Sequence, residues 1–258
     1  MHVSPSSARY VYVVRSSRTG AISIGIDLTP EGACPLSCDY CQVDGPRVRA
    51  PSTDIDVPLL AAELDEALAR HPGAADVTFA GSGEPTWSPY FREALSLALR
   101  CARVRALRVV VLTSGALLGR PSIRDALVAL VRDHAGEVWV KLDTWNEASM
   151  MQIAGARGQA LHEDRIVSLA ADVAVGAQIL VAHREPDFTV EETALGLAST
   201  VRRLRGRSAL LMSARITTLL RPAGRPGVAS LRAYSSKELS VVVAAIRAQG
   251  PLVSAVAV

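Results

Sequence analysis

The 258 residues, 49% of them hydrophobic, are enough for one large buried core, and a single α/β barrel-like domain of this size is ordinary. A net charge of +3, with arginine supplying almost all of the positive charge and only Lys141 and Lys237 as lysines, permits contact with phosphate-bearing partners without demanding it. No apolar run approaches a membrane span, residues 1–15 lack a secretory pattern, and four cysteines with three of them clustered do not make a disulfide framework, so the expected setting is cytoplasmic, with no membrane partner.

Two β-rich runs, over 10–14 and 22–28, are joined by the turn-forming stretch Arg15-Ser16-Ser17-Arg18-Thr19-Gly20. The second stops at Thr29-Pro30 and reads as the first core strand. Apolar Leu60, Leu64 and Leu68, preceded by Asp54 and Asp56, predict a helix over 57–70. The alternation then repeats: strand 77–80, helix 90–102, strand 107–112, helix 121–134, strand 138–143. Region 146–171 is ambiguous and partly helical. Strands over 175–181 and 210–217 bracket a helix over 189–204, a last helix covers 236–247, and the apolar tail 252–258 is expected to pack as a short strand. Strands alternating with helices specify a parallel sheet. Six such units predict an α/β fold, a partial (βα)6 TIM-like barrel with its active site at the carboxyl ends of the strands, where the strand-to-helix loops emerge. The Gly- and Pro-rich stretch 221–227 is the one linker-like segment. The expected organisation is therefore a β extension over 1–21, the barrel over 22–220, and a linker, helix and tail over 221–258 packed on the barrel.

The unusual loops fall on that carboxyl side. After the first core strand comes Cys34-Pro35-Leu36-Ser37-Cys38-Asp39-Tyr40-Cys41, a C-x3-C-x2-C spacing. Thiolates at these offsets can surround one polynuclear centre, and three of them leave one iron of a [4Fe–4S] cube without a protein ligand. By itself the spacing leaves structural zinc and incidental thiols open. Cys101 lies in an apolar helical run and reads as structural, while His71, His134, His162 and His183 are isolated. The loop Gly81-Ser82-Gly83-Glu84-Pro85-Thr86 has nothing large to keep a ligand from its backbone, and Glu84 offers a carboxylate to an ammonium group; an ordinary glycine turn is the alternative. Thr113 and Ser114 suit a ribose hydroxyl or a carboxylate, or the capping of a turn. Lys141-Leu142-Asp143 sets two charges at the end of a buried strand, costly unless they meet each other, solvent or a ligand. Gln178 is a polar residue inside the fifth strand and a candidate for the barrel lumen. His183, Arg184, Glu185 and Asp187 are placed to reach a substrate but read first as a solvated loop, and Arg202, Arg203, Arg205 and Arg207 read as complements of a helix carboxyl end, with RNA contact as the alternative.

Taken together, Cys34, Cys38, Tyr40 and Cys41 with Gly83-Glu84-Pro85 and Lys141-Leu142-Asp143, in that order on successive strand ends, resemble the radical S-adenosylmethionine (radical SAM) superfamily over roughly residues 22–217. Ser23-Ile24-Gly25-Ile26-Asp27-Leu28, Tyr40-Cys41-Gln42 and Gly81-Ser82-Gly83-Glu84-Pro85-Thr86 look like its branch of iron–sulfur oxidoreductases related to the tRNA wyosine-forming synthases, although the extra amino-terminal cysteines and long basic extension of a wyosine-forming enzyme are missing. The resemblance implies a [4Fe–4S] cluster on Cys34, Cys38 and Cys41 and S-adenosyl-L-methionine on its open iron. It further implies Tyr40 against the adenine, Glu84 with the Gly81–Ser82–Gly83 backbone on the methionine amine, and Thr113, Ser114, Lys141, Asp143 and Gln178 around the cofactor. A flavodoxin- or ferredoxin-like donor would reduce the cluster to generate a 5′-deoxyadenosyl radical. A small-molecule substrate is favoured, with tRNA as the alternative. An iron–sulfur electron-transfer or sensor protein is the competing class.

Overall fold

Strands rich in Val and Ile alternate with amphipathic helices along the computed structural model, which describes residues 8–43, 50, 54–184, 188–208, 210–219, 231–250 and 254–257. Two units are distinguished: Met1–Pro35 with Arg47–Thr113 and Gly119–Val138, and Leu36–Pro46 with Ser114–Leu118 and Trp139–Val258.

In the first unit β1 (Val11–Arg15) is antiparallel to β2 (Ile22–Ile26), and β2, β3 (Asp76–Phe79) and β4 (Arg108–Thr113) follow as parallel neighbours. Buried on both faces, β3 has no exposed residue and β4 runs Val109-Val110-Val111 without a polar interruption, the pattern of a covered parallel sheet. Three helices accompany these strands: α1 (Val57–Arg70), α2 (Phe91–Arg103) and α3 (Pro121–His134). Helix α1 starts where the Asp56 side chain accepts from Leu59 N at 2.9 Å, and it buries Leu60, Leu64 and Leu68. The same face carries Glu63, whose carboxylate accepts the N–H groups of Arg9, Tyr10 and Val11 and so terminates the approach to β1. At the amino ends of the strands, Asp76 is buried with Ser23, Thr78 and the guanidinium of Arg18 around its carboxylate.

The second unit continues β5 (Glu137–Lys141), whose residues 139–141 pair in parallel with β6 (Val175–Leu180). Strand β6 pairs with β8 (Leu211–Thr217), and β8 with β10 (Ser254–Ala257), both in parallel. A short helix α4 (Glu147–Ser149) runs into one π-helical turn, Met150–Ala154, ahead of α5 (Gln159–Ala170). Helices α6 (Val190–Arg207) and α7 (Ser236–Arg247) each open with a capping box, Thr189 with Glu192 and Ser235 with Glu238. The strands β7 (Ala182–His183) and β9 (Arg232–Ala233) form a small antiparallel pair of their own, which strand periodicity is too short to reveal.

The parallel α/β alternation expected from the sequence is present, and within the apolar tail Ser254–Ala257 form a strand. Strand β5 ends at Lys141, so Leu142 and Asp143 lie just beyond it, and Thr113 belongs to β4. The expected linker 221–227 lies outside the described residues. The arginines near the end of α6 have protein partners: Arg203 on Glu163 (2.7 Å), Arg207 on Asp164 (2.7 Å) and Arg205 on the Gln249 carbonyl (2.8 Å).

Candidate cofactor-binding loops

In the first unit the loops leaving β2, β3 and β4 hold one another. Asp27, one residue past β2, accepts from Thr29 N and from Ser82 N, each at 2.9 Å. A Cβ on Gly81, whose φ is +153°, would land 2.3 Å from the Asp27 Cγ. A Cβ on Gly83 would land 2.0 Å from the Ala33 carbonyl oxygen, which also accepts from Glu84 N at 3.2 Å. The two glycines therefore let the backbone of one loop touch the residue immediately before Cys34. Glu84 is 3% exposed. Its Oε1 accepts from Thr113 Oγ1 (2.6 Å), Thr86 Oγ1 (2.6 Å) and Thr86 N (3.2 Å), which orients the carboxylate between the ends of β3 and β4.

In the second unit the remainder of the cysteine loop is clamped. Ser37 N donates to Ala154 O (3.0 Å) and Asp39 N to Ile153 O (2.9 Å), so the carbonyls at the end of the π-helical turn, which lack partners within that turn, receive the loop. Gly155 follows with φ +61°, and a Cβ there would press on the Ser37 Cβ at 2.9 Å. Cys41 N donates to Cys38 O at 3.2 Å, which presents the last two thiols from one tight turn. Arg184 Nε and Nη2 donate to Asp39 Oδ2 and Oδ1 at 2.6 and 3.1 Å.

This arrangement corrects the expectation of a solvated loop at Arg184. The side chain is buried, because a guanidinium fork matched to the two oxygens of Asp39, with a third bond to Ala182 O at 3.2 Å, compensates its desolvation. His183 beside it is half-buried, and Glu185 and Asp187 lie outside the described residues.

Tyr40 and the charged pair meet as well. Lys141 Nζ is 3.3 Å from Asp143 Oδ1, the Tyr40 hydroxyl donates to Asp143 Oδ2, and Leu180 N donates to Asp143 Oδ1 at 2.7 Å. The Lys141 ammonium also sits 5.0 Å from the centre of the Tyr40 ring. Burial, then the Asp143 charge, then Cys38 push the Tyr40 phenol well above its ordinary pKa, so it stays a donor. The salt bridge that the sequence left open for Lys141 and Asp143 is thus made, and Tyr40 is its third member.

Ser114 Oγ accepts from Ala116 N at 3.3 Å, the turn-capping role. The next residue, Gly115, has φ +79° and stands against His162, whose Cε1 would be 3.0 Å from an added Cβ. His162 Nε2 lies 3.0 Å from the Lys141 carbonyl, a contact that requires the proton on Nε2; burial lowers its pKa, so the ring is neutral. Gln178 stands half-buried beside Lys141 in the β5–β6 register. The features not legible in the sequence are the π-helical turn, Arg184 and His162; the first is signalled only by Gly155 after an apolar run, and the others by nothing local.

The donor set suits an iron–sulfur cluster: Cys34, Cys38 and Cys41 form no disulfide and are each half-buried, on a loop whose backbone is held at Ala33, Ser37 and Asp39. Among the described residues no three His, Cys, Asp or Glu side chains are gathered as ligands to one ion. Cys101 is set apart on α2.

No protein-family model matches the chain. Among curated proteins, the GTPase Obg of Brachyspira hyodysenteriae is 34% identical over 119 residues, which make up 45% of this chain and 17% of that protein. Among solved structures, a radical SAM methyltransferase from Sphaerobacter thermophilus has a TM-score of 0.64 at 12% identity, covering 100% of this chain and 76% of that one. Streptococcus suis SuiB bound to S-adenosylmethionine has a TM-score of 0.58 at 14% identity, with 88% of this chain and 48% of SuiB covered. TYW1 with a lysine–pyruvate adduct bound has a TM-score of 0.52 at 12% identity, with 87% of this chain and 72% of TYW1 covered. At these identities the likeness speaks for the fold, and the chain accordingly has the parallel α/β, partial TIM-like barrel fold seen in radical SAM enzymes.

Proposed function

We propose that the chain is a cytoplasmic radical SAM enzyme, and that its motifs fit best the branch related to the tRNA wyosine-forming synthases. The observation that carries this reading is the C-x3-C-x2-C loop, with three cysteines outside any disulfide on a braced backbone, in a fold of that kind. Cys34, Cys38 and Cys41 would hold a [4Fe–4S] cluster, which, with S-adenosyl-L-methionine, supplies reductive cleavage to methionine and a 5′-deoxyadenosyl radical able to abstract hydrogen from a substrate.

The chain's own part is orientation. The Gly81–Ser82–Gly83 backbone, tied to Asp27 and Ala33, and the Glu84 carboxylate, aligned by Thr86 and Thr113, would receive the methionine amine. Tyr40, steadied by Asp143 and Lys141, would lie against the adenine, with Ser114 and Gln178 completing the surroundings. A small-molecule substrate is favoured over tRNA, since Arg203, Arg205 and Arg207 are already engaged with protein groups. A flavodoxin- or ferredoxin-like protein would deliver the electron.

The test is anaerobic reconstitution with iron and sulfide, followed by S-adenosylmethionine, dithionite and an assay for 5′-deoxyadenosine. Cleavage should appear with wild type and vanish with Cys38→Ala, together with the charge-transfer absorbance of the cluster. A brown protein that binds no S-adenosylmethionine and forms no deoxyadenosine would instead be an electron carrier or sensor.

A further inference from the structure

The cysteine loop carries a carboxylate that cluster binding does not call for. Asp39 stands between Cys38 and Cys41, the last two proposed ligands, and its side chain is 14% exposed. Three thiolates already make an iron–sulfur centre negative, and an accepted electron adds to that charge, so a bare carboxylate in the same loop would oppose reduction. Arg184, just past β7, meets this carboxylate: Nε and Nη2 donate to Oδ2 and Oδ1 at 2.6 and 3.1 Å. An arginine stays protonated even when its side chain is buried, so the two groups cancel as a unit.

Anchoring the loop does not by itself account for the pair. The same segment is already held by backbone bonds, Ser37 N to Ala154 O and Asp39 N to Ile153 O, at 3.0 and 2.9 Å. Adding a buried ion pair to a segment so fixed brings little net stability, because desolvation of the two charges offsets most of their attraction. The next residue repeats the pattern of matched charge. Tyr40 donates to Asp143, and Asp143 in turn meets Lys141 at 3.3 Å. Two carboxylates at consecutive residues of the loop are thus each matched by a cation.

We propose that Arg184 regulates the reduction potential of the cluster: by cancelling the Asp39 carboxylate it keeps the centre reducible by a biological one-electron donor. This rests on the cluster of the proposed function and on none of its S-adenosylmethionine chemistry, so it applies equally if the chain only carries electrons.

The experiment reconstitutes the full-length chain anaerobically with iron and sulfide and titrates it electrochemically without S-adenosylmethionine. Electron paramagnetic resonance follows the reduced cluster, and iron per chain is measured for each variant. Removing the cation alone, in Arg184→Gln, should shift the midpoint to a more negative potential. Removing the anion alone, in Asp39→Asn, should shift it to a more positive one, and the double variant Arg184→Gln/Asp39→Asn should return close to wild type. Arg184→Lys keeps the charge and loses the fork, and should stay nearer wild type than Arg184→Gln.

A purely structural pair would lower iron loading in both single variants without displacing their midpoints in opposite directions. If Arg184→Gln takes up no cluster, Asp39→Asn decides, and a midpoint at or below that of wild type overturns the proposal. Single-variant midpoints that coincide with wild type or move the same way overturn it too, as does loss of the cluster from both single variants. A wild type that assembles no cluster overturns this proposal together with the proposed function, whereas a cluster whose potential does not follow the charge overturns this one alone.

Discussion

Arg184 and Asp39 show how one residue pair can govern a cofactor loop. Asp39 lies between two cysteines, and its carboxylate is held by a guanidinium whose side chain is 4% exposed. Removing either partner strands the other in a poorly solvated position, whereas removing both leaves no charge to strand. Arg184→Leu is therefore expected to lower the unfolding free energy by about 3 kcal/mol in urea titrations. The double variant Arg184→Leu/Asp39→Leu should recover most of that loss. A double variant as unstable as the single would mean that the pair matters through packing and not through charge.

At the scale of elements, the strand-to-helix loops are built by close backbone approach. Gly83 meets the Ala33 carbonyl, and Gly155 meets Ser37, so each glycine removes a methyl from a contact that has no room for one. Gly83→Ala should force the Glu84 loop away from the start of the cysteine loop and destabilise the protein by about 1–3 kcal/mol. Iron incorporated on reconstitution should fall in parallel, measured as iron per chain. Ser82→Ala serves as the comparison, because it keeps the backbone N–H that Ser82 donates to Asp27 and adds nothing to the contact with Ala33. Equal iron loading in wild type and Gly83→Ala would separate this loop from cluster assembly. The π-helical turn works from the other side: by ending in carbonyls that Ser37 N and Asp39 N reach, it gives the loop two backbone anchors that any side chain would tolerate.

For the molecule as a whole, two buried groups set opposite limits in pH. Burial lowers the pKa of His162, so the unfolded chain takes up a proton near the ordinary value of about 6.5 while the folded chain does so only at lower pH. Stability present above about pH 6.5 is thus lost as the pH falls. Burial and then the Asp27 charge raise the pKa of Tyr12, so the unfolded chain ionises near its ordinary value of about 10 first, and stability is lost as the pH rises beyond that. Urea midpoints across the pH range should show a plateau between these limits, with His162→Gln flattening the acid side and Tyr12→Phe the alkaline side. The strands' amino ends, closed by Asp76, Ser23, Thr78 and Arg18, contribute stability, while their carboxyl ends carry the candidate chemistry. By itself the sequence determined the alternation of strands and helices, the cysteine loop, the Gly81–Glu84 turn and the Lys141–Asp143 pair, because period, spacing and short-range charge are local properties. Tertiary structure alone decided that Glu84 is oriented by Thr113, that Arg184 reaches Asp39, and that Lys141, Gln178 and Arg215 stand in one row. Each of these depends on strand register or on contact between residues far apart in the chain, and a shift of one residue in register would turn such a row to the opposite face.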